Sequence, residues 1–328
     1  MSSLPRLWTD VPLHRAALDL LRGRVALSGP TVPAGDAAQP PFAFADADAA
    51  IVGTRQRYDA EAFARATRLK VIARTGIGYD NVDVPAATAA GVCAVNTPEA
   101  PTESTAEFAI ALMFAVARRI PAADAYAKAG VWKLDPEVMG FDLAGKSLGL
   151  VGFGRIARRV TEMARAIRLR VFAFDPFVPA AVMTEAGATP CANLSALLRS
   201  SYVLSLHAPL GDATRRLIGA EQLALLPAGA IVINTARGPL LDEGAVLAAL
   251  ESGQLAGAGL DVWEREPVAP DHPLFRHPRV VATSHIAAYT NEGRERSHVA
   301  AAQLVLAALA GERPATLIDP TAWAHRRT

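Results

Sequence analysis

The 328-residue chain has only two cysteines, Cys93 and Cys191, each set among apolar neighbours. Two such residues exclude a disulfide framework and a cysteine-rich metal site, and suit reduced thiols in a core. A charge surplus is also missing: 33 basic residues face 32 acidic ones. That balance argues against nucleic acid or an anionic membrane surface as a partner. Long apolar runs are absent too, since no stretch approaches ~18 uninterrupted apolar residues. The N-terminus shows no basic segment followed by an apolar run, so neither export nor membrane spanning is expected, and a cytoplasmic location is the default. What is abundant is apolar content, 51% of the residues. The length allows two domains of ordinary size, each with its own core.

The stretch from Lys146 to Pro176, KSLGLVGFGRIARRVTEMARAIRLRVFAFDP, organises the rest. Leu148 to Val151 is a short apolar run suited to a buried parallel strand. Gly152, Gly154 and Ala157 then fall at the positions of a G-x-G-x-x-G/A turn, with a helix beginning near Arg155. Glycines there let the backbone turn sharply and let a pyrophosphate approach the helix N-terminus, where unpaired N–H groups and the dipole favour an anion. Arg170 to Phe174 supplies the next strand. Asp175 closes it, roughly 20 residues past the turn, where a carboxylate can accept hydrogen bonds from an adenosine ribose. A lone pair of glycines is more often a tight turn; the strand before, the helix after and the acid beyond favour dinucleotide binding. Asp175 further favours NAD over NADP, because a carboxylate repels a 2′-phosphate and no arginine follows it immediately.

In chain order, Arg6 to Thr9 reads as a strand, Leu13 to Leu21 as a helix and Val25 to Leu27 as a strand, before a Gly/Pro/Ala-rich loop over 28–41. Ala49 to Gly53 is a strand ending in Thr54 and Arg55, where an α/β sheet offers ligand-facing residues. Glu61 to Thr67 is a helix and Lys70 to Ala73 a strand. The loop Arg74 to Asn81 follows; its glycines, Gly76 and Gly78, bracket Ile77 and either present consecutive N–H groups to a carboxylate or form a plain strand-to-helix turn. After a strand at Val92 to Val95, a long apolar helix runs to Arg119. Ser104 to Glu107 has capping-box spacing and Thr102 is an equal candidate for its cap. A helix apolar on nearly all sides is expected to be buried, between domains or between subunits. Beyond the dinucleotide unit, strands at Tyr202 to Leu206, Ala230 to Ile233, Ala256 to Leu260 and Val280 to Thr283 alternate with helices at Glu221 to Leu226 and Asp242 to Ser252. Arg237, Asp261, Glu266 and His285 therefore lie just past C-terminal strand ends, the edge where a doubly wound sheet binds its cofactor.

A reaction beside a nicotinamide needs a group to move a proton and a counter-charge for an acidic substrate. His285 suits the first, since imidazole titrates near neutral pH, and Glu266 could hold it in one tautomer and favour its charged form. Arg237 offers a planar fork for a carboxylate. Singly, each has a dull reading: a surface counter-charge, a solvated carboxylate, a capped histidine. Their joint placement favours a site. His207 is the rival acid, but its place after the strand that follows the ribose-binding region suits the cofactor site better.

These residues resemble the D-isomer-specific 2-hydroxyacid dehydrogenases, a family that includes phosphoglycerate dehydrogenase, glyoxylate/hydroxypyruvate reductase and D-lactate dehydrogenase. The resemblance runs from Lys70 to Arg296 through RTGIGYDNVD, STAEFAIAL, GKSLGLVGFGRIA, HAPLGDATRRLI, INTARGPLLDE, GAGLDVWEREP and SHIAAYT. It implies an α/β fold of two doubly wound parallel-sheet domains, a Rossmann cofactor domain (99–290) inserted in a flavodoxin-like substrate domain (1–98 and 291–328). It implies Arg237, Glu266 and His285 as the catalytic set, and Arg74, Ile77 and Gly78 on the substrate, the last two through their amides on its carboxylate. For NAD it implies Gly152, Gly154, Arg155, Ile156, Asp175, His207, Pro209, Thr214, Thr235, Ala236, Thr105 and Asp261, the last on the nicotinamide carboxamide. It also implies a homodimer built on the cofactor domain and the helix that enters it, and no metal.

Ser284, Ala157, Glu99, Pro101 and Phe108 depart from the family pattern without removing a catalytic group, and they weaken transfer of substrate identity. The chain ends soon after a helix at Val299 to Ala310, so a regulatory domain is not expected, which counts against phosphoglycerate dehydrogenase activity without excluding it. The expected function is NAD-dependent interconversion of a small D-2-hydroxy acid and its 2-keto acid. The alternatives are an NAD(H)-sensing corepressor-like protein, because fold alone does not fix function, and a formate or phosphite dehydrogenase.

Overall fold

The computed structural model describes residues 3–29, 44–54, 56–132 and 135–328. Arg55 and most of the loop expected over 28–41 lie outside the described residues. The first elements are β1 (Arg6–Thr9), α1 (Arg15–Leu21), β2 (Ala26–Ser28), β3 (Ala49–Val52), α2 (Ala60–Arg65), β4 (Val71–Arg74), α3 (Val84–Ala89) and β5 (Cys93–Asn96). Next come α4 (Thr102–Ala117), α5 (Ile120–Lys128), β6 (Ser147–Val151), α6 (Arg155–Ala166), β7 (Arg170–Phe174), α7 (Ala180–Glu185), β8 (Thr189–Pro190) and α8 (Leu194–Arg199). The last are β9 (Val203–Leu206), α9 (Ala220–Ala224), β10 (Ala230–Asn234), α10 (Glu243–Glu251), β11 (Leu255–Leu260), α11 (Pro273–Arg276), β12 (Val280–Ala282) and α12 (Asn291–Leu309).

The chain divides into two compact units, one of Met1–Pro101 with Tyr289–Thr328, the other of Thr102–Ala288. The first holds a five-stranded parallel sheet in the order β2-β1-β3-β4-β5, the flavodoxin-like winding. Its central strands AAIV and VIAR are buried along their whole length, because parallel sheets are covered on both faces. One face packs on Phe44, Tyr58 and Phe63, the other on Leu21 of α1 and Ala301 and Val305 of α12. Side-chain caps start the helices: Asp59, Asp83 and Thr290 each accept a backbone N–H from the first turn, the stabilising role of such residues.

The second unit holds a seven-stranded parallel sheet, β12-β11-β10-β9-β6-β7-β8, the Rossmann order extended by one strand. Met113 of α4 and Val160 of α6 cover one face; Leu197, Val246 and Leu250 cover the other. Winding reverses between β6 and β9, which are adjacent. In such sheets the crevice at that switch point, beyond the strands' C-terminal ends, takes the ligand.

Three differences from the sequence reading have local causes. Helix α4 already includes Thr102, so Ser104 sits buried inside its first turn and does not cap it. Helix α12 begins at Asn291, eight residues before Val299, because Thr290 Oγ1 accepts from Gly293 N at 2.9 Å; its charged opening NEGRERSH hides the apolar period that marks a helix. Elements α7, β8 and α8 were not expected, being too short to carry a period.

Candidate active site

The glycine turn connects β6 to α6 at the switch point. Gly152 has φ +87°, and a Cβ there would lie 2.8 Å from the carbonyl carbon of His207 and from Ala208 N. No other residue type fits beside that peptide. Gly154, by contrast, faces open space: a Cβ there meets nothing within 4 Å. It is also the N-cap of α6, with no side chain capping the helix. Arg155 and Ile156 form the first turn behind it, exposed and half-buried, while Ala157 is fully buried and sets how closely helix and strand pack. Asp175 is fixed at the rim, accepting from Phe153 N at 2.8 Å and Phe177 N at 2.9 Å. At the end of β10, the Thr235 hydroxyl is buried without a hydrogen-bond partner among the described residues. An uncapped helix N-terminus, open space over Gly154, a rim carboxylate and an orphaned hydroxyl on one sheet edge fit a dinucleotide.

His207 follows β9, its Nε2 2.9 Å from Ser205 Oγ. Burial pulls its imidazole down to about 4, so it is neutral near pH 7. Beyond it, Thr214 Oγ1 donates to the Pro209 carbonyl at 2.8 Å and accepts from Gly211 N at 2.8 Å, so this hydroxyl closes its own exposed loop.

Three loops past β10, β11 and β12 bear the proposed reacting groups. Asn234 shapes the first: its Oδ1 accepts from Ala236 N at 3.0 Å and its Nδ2 donates to the Arg237 carbonyl at 2.9 Å. In the second, Glu266 Oε1 accepts from Trp263 N at 3.0 Å, leaving Oε2 2.8 Å from His285 Nδ1. The carboxylate can only accept, so Nδ1 carries the proton and Nε2 remains for chemistry. Partial burial pushes the Glu266 carboxyl up; the hydrogen bond and charge of His285, the Trp263 N–H and the Arg237 charge outweigh it and hold it below the usual carboxylate range. In the third loop, His285 adopts a left-handed backbone, φ +56°, a strained state that surrounding contacts must enforce.

In the other unit, Arg74 ends β4 and is buried, its guanidinium donating to the Thr75 carbonyl and lying against Gly76. Thr75 and Gly76 use their N–H groups on the Val52 and Arg74 carbonyls, whereas the Ile77 and Gly78 N–H groups donate to no other described residue. Asn96 Nδ2 holds the loop by donating to the Ile77 carbonyl at 2.7 Å.

Residues 110–287 match the family described as D-isomer specific 2-hydroxyacid dehydrogenase, NAD binding domain. The chain belongs to that family. It is an NAD-dependent dehydrogenase, and its cofactor is NAD. It is 40% identical over 277 residues to a glyoxylate reductase of Korarchaeum cryptofilum, covering 84% of this chain and 83% of that one. It is 42% identical over 247 residues to a D-3-phosphoglycerate dehydrogenase of Archaeoglobus fulgidus, covering 75% of this chain and 46% of that one. Among solved structures it is similar to the TT0316 protein of Thermus thermophilus, with a TM-score of 0.86 at 38% identity over 96% of this chain and all of that one.

The contacts of Asp261, a residue expected at this edge from the sequence, lie beyond any motif. Asp261 is wholly buried; its Oδ1 accepts from Thr283 Oγ1 at 2.6 Å and Ile286 N at 2.9 Å, its Oδ2 from Ala287 N at 2.8 Å. Its carbonyl accepts from His285 N at 2.7 Å. One aspartate thus brackets the His285 loop from both sides. Thr105 is buried in the first turn of α4. Cys93 and Cys191 are free thiols that burial pushes up. Among the described residues no group of His, Cys, Asp or Glu could hold a metal ion, and no helix is long and apolar enough to cross a membrane.

Proposed function

We propose that this dehydrogenase interconverts a small D-2-hydroxy acid and its 2-keto acid, of the size of glyoxylate or hydroxypyruvate. The carrying observation is the 2.8 Å contact of His285 Nδ1 with Glu266 Oε2, with the Arg237 charge acting on the same carboxylate. Bound NADH supplies the hydride. Arg237 grips the substrate carboxylate and polarises the adjacent carbonyl. His285 donates a proton from Nε2 to the nascent alkoxide, and Glu266 holds the opposite nitrogen and favours the imidazolium. The N–H groups of Ile77 and Gly78 serve as a carboxylate nest. Thr102–Ala288 is read as the cofactor domain and the other unit as the substrate domain.

The small substrate is supported by the match to 83% of a glyoxylate reductase; the chain spans about half the length of the phosphoglycerate dehydrogenases it also matches. A panel of 2-keto acids with NADH, followed by loss of NADH absorbance, tests this. Turnover of small unbranched keto acids is expected. Turnover of formate or phosphite with none of the panel would overturn the reading.

A homodimer is part of the same proposal. Helix α5 buries none of its residues, and Trp132 and Met139 just beyond it are 91% and 73% exposed. An apolar surface of this kind marks an interaction site. Sedimentation velocity should give twice the monomer mass, and Trp132→Asp should reduce it to one.

A further inference from the structure

Trp263 touches all three loops that carry the proposed reacting groups. Its backbone N–H donates to Glu266 Oε1 at 3.0 Å, which turns Oε2 toward His285. Its indole N–H donates to the Thr283 carbonyl at 2.9 Å, two residues before His285. Its own carbonyl lies against Gly238, the neighbour of Arg237: a Cβ at Gly238 would fall 2.0 Å from that oxygen and 1.9 Å from its carbon. The side chain is buried at 3% exposure. Phe275 and His272 grip it edge to face, at centroid distances of 4.5 Å and 5.8 Å. Behind them Glu243 takes His272 Nε2 at 3.2 Å and the Glu264 N–H at 2.7 Å. A large side chain with two flexible torsions, fixed on every side, can transmit that rigidity to the groups it touches.

We propose that Trp263 is the positioning residue of the dehydrogenase site: its two N–H donors align Glu266 with His285, and its contact with Gly238 fixes the turn that presents Arg237. The proposal rests on the reading of Arg237, Glu266 and His285 given above. The left-handed backbone of His285 needs restraint on both flanks. Asp261 supplies it on both sides, through the Thr283 hydroxyl before the turn and the Ile286 and Ala287 N–H groups after it, and the indole adds a second hold before the turn, on the Thr283 carbonyl. Without the indole donor the Thr283 carbonyl loses its partner and the imidazole loses alignment with Glu266. The charges acting on Glu266 are those of His285 and Arg237, with the Asp261 carboxylate behind the loop.

Trp263→Phe keeps a six-membered ring and the backbone N–H, and removes the indole donor together with part of the buried ring. It should lower kcat by on the order of tenfold and move the alkaline limb of the reduction profile to lower pH. The KM for the keto acid and the Kd for NADH, read by fluorescence titration, should stay within about twofold. In a Glu266→Gln background it should shift the limb no further, because the pair it aligns is already broken. Phe275→Leu loosens the packing behind the ring but keeps both N–H donors of Trp263, and should lower Tm while moving the limb less than Trp263→Phe does. Site-specific replacement of Trp263 by benzothienylalanine, which has sulfur for the N–H at equal shape, keeps the test open should Trp263→Phe not fold. Wild-type kcat and pH profile with a lowered Tm, in either variant, would show Trp263 to be a core residue and nothing more. If His285→Gln retains turnover, the trio itself is wrong; if His285→Gln is dead and the Trp263 variants match wild type, only the positioning role fails.

Discussion

Replacing Glu266 by Gln keeps the shape of the side chain and removes its charge from His285, and the consequence for the pH profile has a definite sign. In reduction the imidazolium donates, so activity is present at low pH and lost as the pH rises past the point where the imidazole is neutral. The carboxylate favours the charged ring, and an amide does not. The alkaline limb of kcat/KM must therefore move to lower pH. A fully buried charge-assisted bond contributes about 1.5–3 kcal/mol. Here the two side chains are 33% and 36% exposed, so solvent screening reduces this to about 1 kcal/mol. At ~1.4 kcal/mol per factor of ten, that corresponds to about a fivefold loss of kcat/KM on the alkaline side. The assay is a pH series of initial rates at saturating NADH, on wild type, Glu266→Gln and His285→Gln. His285→Gln should lose the limb along with nearly all turnover. A limb that stays in place or moves upward in Glu266→Gln would show that the pair is not coupled. His207→Gln is the control: its imidazole is neutral above about pH 4, so the limb should survive. Loss of the limb in that variant alone would transfer the acid's role to His207.

Arg237→Lys keeps a charge and loses the fork, so kcat/KM for keto acids should fall by about a hundredfold while NADH affinity holds; lost cofactor binding with retained turnover would place the arginine in the cofactor site. Asp175 is held at the rim by the Phe153 and Phe177 amides and cannot swing away from a 2′-phosphate, so NADH should be preferred over NADPH by tenfold or more in kcat/KM, and Asp175→Ala should narrow the ratio. Asp261→Asn turns a donor toward one of three N–H or O–H groups, and should cost about 2–3 kcal/mol, or roughly 4–12 °C in Tm by differential scanning fluorimetry; an unchanged Tm would mean that the carboxylate does not clamp the His285 loop.

What the sequence discloses and what it hides divide along the range of the interactions. The turn from Gly152 to Ala157, the strand Arg170–Phe174 and the acid at its end are readable because strand, helix N-terminus and the acid beyond them are neighbours in sequence, with spacings set by local geometry. Arg237, Glu266 and His285 are readable for a related reason, since each follows a strand whose apolar run marks its end. Their supports are not. Gly238 looks like an ordinary loop glycine, and its need for a bare Cα comes from the Trp263 carbonyl. Asp261 carries the chemistry of a ligand contact, yet its oxygens are taken up by Thr283, Ile286 and Ala287, from the loop after the strand that joins the sheet beside its own. Thr290 caps a helix whose apolar stripe starts only two turns later. For Gly238 and Asp261 the deciding partner belongs to another strand or turn, and no periodic pattern records it; Thr290 caps its own helix at Gly293 N, a local bond masked by the charged residues that open that helix. A pattern can therefore name a candidate for reaction; which residue holds it in register has to be read from the contacts, and here those contacts converge on Asp261 and Trp263.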